Sequence, residues 1–445
     1  MLIATVVATL TGAGGLGGIT AAQAQPLQSH EPITITSAAQ FDFQHGVTNA
    51  PGCGIAANPC SIDGWSIQPS SGQACITIDL SHDTMPPRDY VIQNNRCSGG
   101  TDGIVLKSAP NGTVAGNTIS GLSGTANNSR NSTGILASDS TPLTISANRL
   151  SNIQGSPGTA PGQSGGDAWG IHVIDSPMVE ISHNDISLVA GGYGFIAAFG
   201  SSGGNGGSGT AVSAEQTEAA PSQAAPISLP VGVNAGTLVG TISSLPLLGP
   251  VLSELLKTAH MPCTSSRLTM KSNTISRVYG AVGAVGGLSL TGSGGDGGTG
   301  GSATGVVVKG FSHDSPYCDV TLKTNSISWI VGALGAFGAA GVTTGGRGGD
   351  GGSGQGVVLA NVEEHARVTG NAIFQLYGAY GAAAGWGTFH GGNGGNGGDG
   401  IGIRKGHVDV HPDDNVISFF FGGLGGAGGL PDGVLGTPGT AAAVV

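Results

Sequence analysis

The chain has 445 residues, 85 of them Gly, about a fifth against an average near 7%. Only 9% are charged and 5% aromatic, and 15 Lys and Arg against 26 Asp and Glu leave a net charge of −11, which excludes the cationic surface a nucleic-acid binder needs. The glycines come in short bursts without proline enrichment, which excludes collagen, and no apolar run reaches the roughly 18 residues of a membrane span.

In chain order, Leu2 to Leu10 is apolar, and Ala22-Gln23-Ala24 has the small-x-small form of a signal-peptidase site, although no basic residue precedes Arg88. These features predict a signal peptide over 1–24 and a secreted, periplasmic or cell-surface location. Six cysteines without a CxxC pair suit an oxidising compartment rather than a zinc site. Their spacing predicts Cys53–Cys60, Cys75–Cys97 and Cys263–Cys318. A cap is expected over 25–68 and repeats over 69–212. An Ala/Pro/Ser-rich insertion follows over 213–262, with a short helix at 248–256 laid over the repeats.

The repeat itself is apolar-x-x-Asn-x-apolar, as in VAGNTIS (114–120), ISHNDIS (181–187) and LKTNSIS (322–328). Its asparagines are Asn95, Asn117, Asn148, Asn184, Asn273, Asn325, Asn371 and Asn415. Further apolar residues stand five before and five after the Asn. A second phrase, Gly followed by apolar residues, recurs at DGIVL (102–106), TGILA (133–137), WGIHV (169–173) and QGVVL (355–359). Short period-two runs read as strands, and a fixed Asn between two of them marks a turn whose amide can stack on its counterpart one coil away. The 22 residues from Asn95 to Asn117 suffice for one coil. The fold expected is all-β: a single-stranded right-handed parallel β-helix (β-solenoid).

Beyond Asn273 the coils, over 263–421, lengthen by glycine. YGAVGAVGG, VGALGAFGAAG and YGAYGAAAG lead out; GSGGDGGTGG, GGRGGDGGSG and GGNGGNGGDG lead back. Both limbs have period three, apolar on the way out (Val282, Val285, Leu288, Leu334, Phe337, Tyr377, Tyr380) and polar on the way back (Asp296, Thr299, Arg347, Asp350, Asn393, Asn396). Three residues per turn without internal hydrogen bonds predicts hairpin arms of polyglycine-II type, bonded limb to limb. The tail, 422–445, reads as an outgoing arm with no matching return strand. That suggests self-association through the C-terminal end, or a tail folded over it.

GCGIAANPCSIDGWSI (52–67), ACITI (74–78) and DYVIQNNRC (89–97) resemble the opening of secreted right-handed parallel β-helix proteins. These form the pectin-lyase-like group, which includes NosD-type copper-accessory proteins. By period alone, the arms resemble polyglycine-II bundles of some antifreeze and mycobacterial glycine-rich proteins. The resemblance implies the fold and leaves the activity open, because the group includes lyases, hydrolases, epimerases and non-catalytic proteins.

Aligning the later repeats on their Asn puts the outward residues of the preceding strand in columns. Six before stand Arg267, Asp319, His365 and Asp409; four before, Thr269, Thr321, Arg367 and His411; two before, Lys271, Lys323, Thr369 and Asp413. Asp319, His365, Arg367, Asp409 and His411 are the candidate acids, bases and charge stabilisers, because His titrates near neutrality. Lys271, Lys323 and Asp413 are candidate substrate contacts. A solvated, charge-paired strand face explains the same pattern. The leading expectation is a structural or adhesive solenoid that binds a polysaccharide or cell-surface polymer. A polysaccharide lyase or hydrolase is the alternative, and a copper accessory protein the next. No cofactor is expected, with calcium admitted only under the enzyme reading; GGNGGDGIG (394–402) matches the calcium nonapeptide once, without the tandem repetition that motif needs.

Overall fold

The computed structural model describes residues 27–125, 131–217, 267–310, 319–362, 366–406 and 414–445. The signal segment, the short helix and the Cys263–Cys318 pair fall outside them. Among the described residues, twenty-eight strands form three all-parallel sheets, here A and B with ten strands each and C with eight. Each coil visits C, A and B in turn: Met178–Ser182, then Asp185–Ala190, then Gly209–Glu215, before the next C strand, Arg267–Lys271. Every strand pairs with its equivalent one coil on, so the chain winds into a parallel β-helix. Winding already begins inside 25–68, where Gln28–His30, Ile33–Ile35 and Cys60–Asp63 join the three sheets.

The core is a set of vertical columns. Sheet C stacks Ile92, Val114, Ile145, Ile181, Met270, Leu322 and Val368, each buried, and sheet B stacks Ile104, Ile135, Ile171, Val212, Val306 and Val357. β-branched residues dominate because a strand buried between coils rewards stiff, broad side chains. The Gly that opens the second phrase is a close-approach position: a Cβ on Gly356 would lie 2.5 Å from the Gly402 carbonyl and from Ile373 Cγ2.

The eight asparagines lie over one another in the C-to-A turn and are buried. Each ladder Asn from Asn95 to Asn371 donates its backbone N–H and its side-chain amide to Oδ1 of the next, at 2.9–3.1 Å. The same amide also reaches a strand carbonyl of the preceding coil, such as Asn184 to Ile145 O at 3.0 Å. No apolar residue could satisfy these buried groups.

In sheet A the inward residues follow the Asn by two and by five, an odd interval that a flat strand cannot bury on one face. The residue four after the Asn resolves it by adopting positive φ: Asn152, Leu188, Arg277, Trp329, Gln375 and Phe419, at 54–62°. This local bulge turns the strand so that Ile186 and Val189 both face the core.

Two predicted disulfides, Cys53–Cys60 and Cys75–Cys97, are formed. The first fastens the cap; the second joins sheet B to sheet A across one coil.

The glycine arms leave sheet A and return to sheet B. They are ordered by hydrogen bonds at intervals of three: Gly280, Gly286 and Ser289 donate to the adjacent outgoing limb, and Gly295, Gly298 and Gly301 donate to the limb paired with them in the same arm. Arms also begin earlier than the sequence predicts, at 155–167 and 191–208, where Gly158 and Gly194 make the same limb-to-limb bonds. The C-terminal expectation is corrected too. Residues 422–440 form a complete arm, and Ala441–Val444 is its return strand, paired with Gly400–Arg404 in sheet B. Its Ala441-Ala442-Ala443 lacks the Gly-apolar signature of earlier return strands, which hid it.

Candidate functional site

Sheet C carries the predicted columns on its outer face. Register places Arg267 beside Asp319, Lys271 beside Lys323, Thr321 beside Arg367 and Lys323 beside Thr369. His365, Asp409, His411 and Asp413 lie outside the described residues. The face extends to earlier coils through Thr113, Thr144 and Glu180, and encloses an open groove of about 510 Å³ lined by Asp89, Asn111, Met178, Glu180, Arg267 and Lys271, among others. Lys271 Nζ lies 2.8 Å from Glu180 Oε1. That hydrogen bond, against a smaller cost of burial, holds the Glu180 carboxyl below its ordinary range, so Glu180 is a charged acceptor rather than a proton donor. Lys323, Arg367 and Asp319 make no ion pair among the described residues. The groove sets Arg267 and Lys271 with the carboxylates Asp89 and Glu180 over Thr113, Thr144 and Thr269, and Lys323 and Arg367 stand on the coils beyond it.

The sequence passed over a second cluster, on the outer face of sheet B. His172 Nε2 lies 3.8 Å from Glu215 Oε1, which also accepts from Ser213 Oγ at 2.8 Å and faces Lys309 Nζ at 3.5 Å. Trp169 stacks on the imidazole with ring centroids 4.9 Å apart. Burial lowers the His172 pKa, outweighing the opposing pull of Glu215, so the ring stays neutral at physiological pH. The signal was available as WGIH followed one coil later by VSAE, but only the sheet register brings Glu215 and Lys309 into neighbouring coils.

Asp102 is the carboxyl most displaced upward, to about 6, because burial outweighs the hydrogen bond it accepts from Thr133 N–H. Its folded pKa exceeds its unfolded one, so its stabilising contribution is complete below about pH 4 and is lost as pH rises through about 6. Asp102→Asn, which keeps the acceptor, is therefore expected to raise unfolding free energy at pH 8 by about 2–3 kcal/mol and to change little at pH 4. Urea unfolding at the two pH values measures this.

The arms present two unlike faces. On the returning limbs, outward Asp, Asn and Ser side chains accept the backbone N–H of the next arm: Asp296 from Arg347, Asp350 from Asn396, Asn396 from Thr437 and Asp399 from Thr440. Asp399, the aspartate of the calcium-like nonapeptide, also holds Arg404 at 2.9 Å. On the outgoing limbs the equivalent residues are apolar and exposed, among them Val285, Leu334, Phe337, Tyr380, Trp386 and Leu424. Among the described residues no helix is long and apolar enough to cross a membrane.

Comparison with known proteins adds the following. Residues 47–211 match the family described as "Right handed beta helix region", and with the three parallel sheets this makes the chain a right-handed parallel β-helix, as its pectin-lyase-like resemblance implies. No curated protein matches. Among solved structures, the catalytic domain of a GH87 alpha-1,3-glucanase in complex with nigerose is 8% identical over 88% of this chain, with a TM-score of 0.22. The chain spans 62% of that domain's length. A likeness this slight transfers no activity.

Proposed function

We propose that the protein is a non-catalytic, exported solenoid, structural or adhesive, that binds an acidic polysaccharide along the outer face of sheet C. The observation that carries this reading is the diagonal pair Lys323 and Arg367, cations on adjacent strands with no ion-pair partner among the described residues, in a chain whose net charge is −11. Glu180 already offsets the charge of Lys271, so Lys323 and Arg367 are the cations left on this face for an anionic ligand. Arg367 and Arg267 add forked donors suited to carboxylate or sulfate groups. The two disulfides fit an oxidising compartment.

On a glycan array, retention of uronate or sulfated chains over neutral ones is expected, weakening steeply with salt. Lys323→Glu is expected to weaken it at least tenfold, since it reverses one of the two cations that have no ion-pair partner among the described residues. Equal retention of neutral and acidic glycans, or indifference to Lys323→Glu, would refute the reading.

A second reading, a polysaccharide-active enzyme, draws on the His172–Glu215–Lys309 cluster, where a neutral imidazole and a carboxylate adjoin an indole platform. It predicts glycan turnover abolished by His172→Ala. The copper reading is less supported, because exposed Met178 and buried Met270 face opposite sides of sheet C.

A further inference from the structure

The outgoing limbs build an exposed apolar floor that none of the readings above uses. Hydrogen bonds from Gly194 to Val282, from Gly335 to Tyr380 and from Gly381 to Leu424 set the limbs in line. Tyr193, Val282, Leu334, Tyr380 and Leu424 therefore form one row across five arms, and Phe199, Leu288, Ala340, Trp386 and Leu430 another six residues further out. The floor continues onto sheet A, where Trp329 and Phe419 are exposed and Tyr377 stacks on Phe421 at 5.6 Å.

Limbs advance about 3.1 Å per residue and lie about 4.8 Å apart, so the apolar area is about 34 by 24 Å, or about 800 Å². That exceeds the largest patch ordinary monomers expose, about 300–600 Å². Two such faces together come to about 1,600 Å², the size of a standard stable interface.

We propose that this face is covered by the same face of a second copy of the chain, forming a two-fold dimer. Three observations favour a copy over another occupant. The area is that of a stable dimer. The outward residues of these five limbs and of their sheet A roots include two charges of opposite sign, Asp185 and Arg277, so the net −11 of each copy is held away from the contact. The side chains also differ in size from limb to limb on either side of the middle one. A two-fold axis lying along the middle limb, 332–340, sets Val282 opposite Tyr380 and Leu288 opposite Trp386, bulky against slight, while Leu334 and Phe337 meet their own counterparts. An isologous contact requires this kind of self-complementarity.

Sedimentation velocity of the full disulfide-bonded chain tests it. A dimer is expected at micromolar concentration, with its Kd weakened at least 100-fold by Leu334→Lys combined with Phe337→Lys. Tyr380→Lys, on a different limb, provides a second disruption, and Thr299→Lys on the polar face of the arms is expected to leave the dimer intact. A natural chain that stays monomeric at about 50 µM overturns the proposal. So does a dimer that survives both apolar-face variants, or a monomer that instead pellets with phosphatidylcholine vesicles. Glycan retention is read separately, on sheet C, so failure of one reading does not carry the other with it.

Discussion

Asn184→Leu is expected to lower unfolding free energy by about 3–5 kcal/mol, the cost of breaking a four-bond node and orphaning buried groups. Oδ1 of Asn184 accepts both the backbone N–H and the side-chain amide of Asn148, at 3.0 Å each. Its own amide donates to Ile145 O and to Asn273 Oδ1, again at 3.0 Å. Leucine fills similar space and offers none of these partners. Asn184→Asp is expected to be as damaging, because it keeps the acceptor but loses the donor and buries a charge. Equilibrium urea unfolding of the disulfide-intact chain gives the magnitude. Hydrogen exchange gives the location: protection is lost in the coils containing Asn148, Asn184 and Asn273 first, because each coil of a solenoid is held only by its neighbours.

Gly298→Val is the second large effect, expected at about 3 kcal/mol or more, from overpacking where nothing can yield. A Cβ there falls on the carbonyl of Gly204 and within 3.0 Å of the Ala284 nitrogen. The limb must move away, and with it go the bond from Gly298 to Ala284 O at 2.8 Å and those of Gly297 and Gly301 beside it. Thr299→Val, one residue on and facing outward, is expected to cost less than about 0.5 kcal/mol, as exposed substitutions do. Exchange protection lost across 280–302 in the first variant and retained in the second would show that the arms are packed layers rather than tethers. Equal protection in both would refute the packing.

The winding was legible in the sequence because it depends on side chains that nothing else replaces: the ladder asparagines and the columns of Ile and Val. The two-faced arms were legible for the same reason, since apolar and polar residues mark the outer position of each limb. What stayed hidden had no distinctive residue. The positive-φ site four after the ladder Asn is Gly99 and Gly121 in the first two cases but Asn152, Leu188, Arg277, Trp329, Gln375 and Phe419 thereafter, so no one residue type marks it. The last return strand escaped because alanine can serve where a Gly-apolar pair usually does. The first two arms escaped because GSPGTAPGQSGG and GGYGFIAAFGSSGG break the strict triplet. The sheet C columns could be aligned on the Asn count alone, whereas the His172–Glu215–Lys309 grouping depends on coil lengths that the inserted arms make uneven.

The breadth of the arm layer is a matter of copy number. Because register is preserved from coil to coil, duplicating the 52 residues between Asn273 and Asn325 would add one rung to the spine and one limb to the layer without disturbing the rest. Each such event would widen the layer by about 4.8 Å. Gene duplication could therefore tune the size of a contact surface in fixed steps, as a ruler is lengthened by whole divisions.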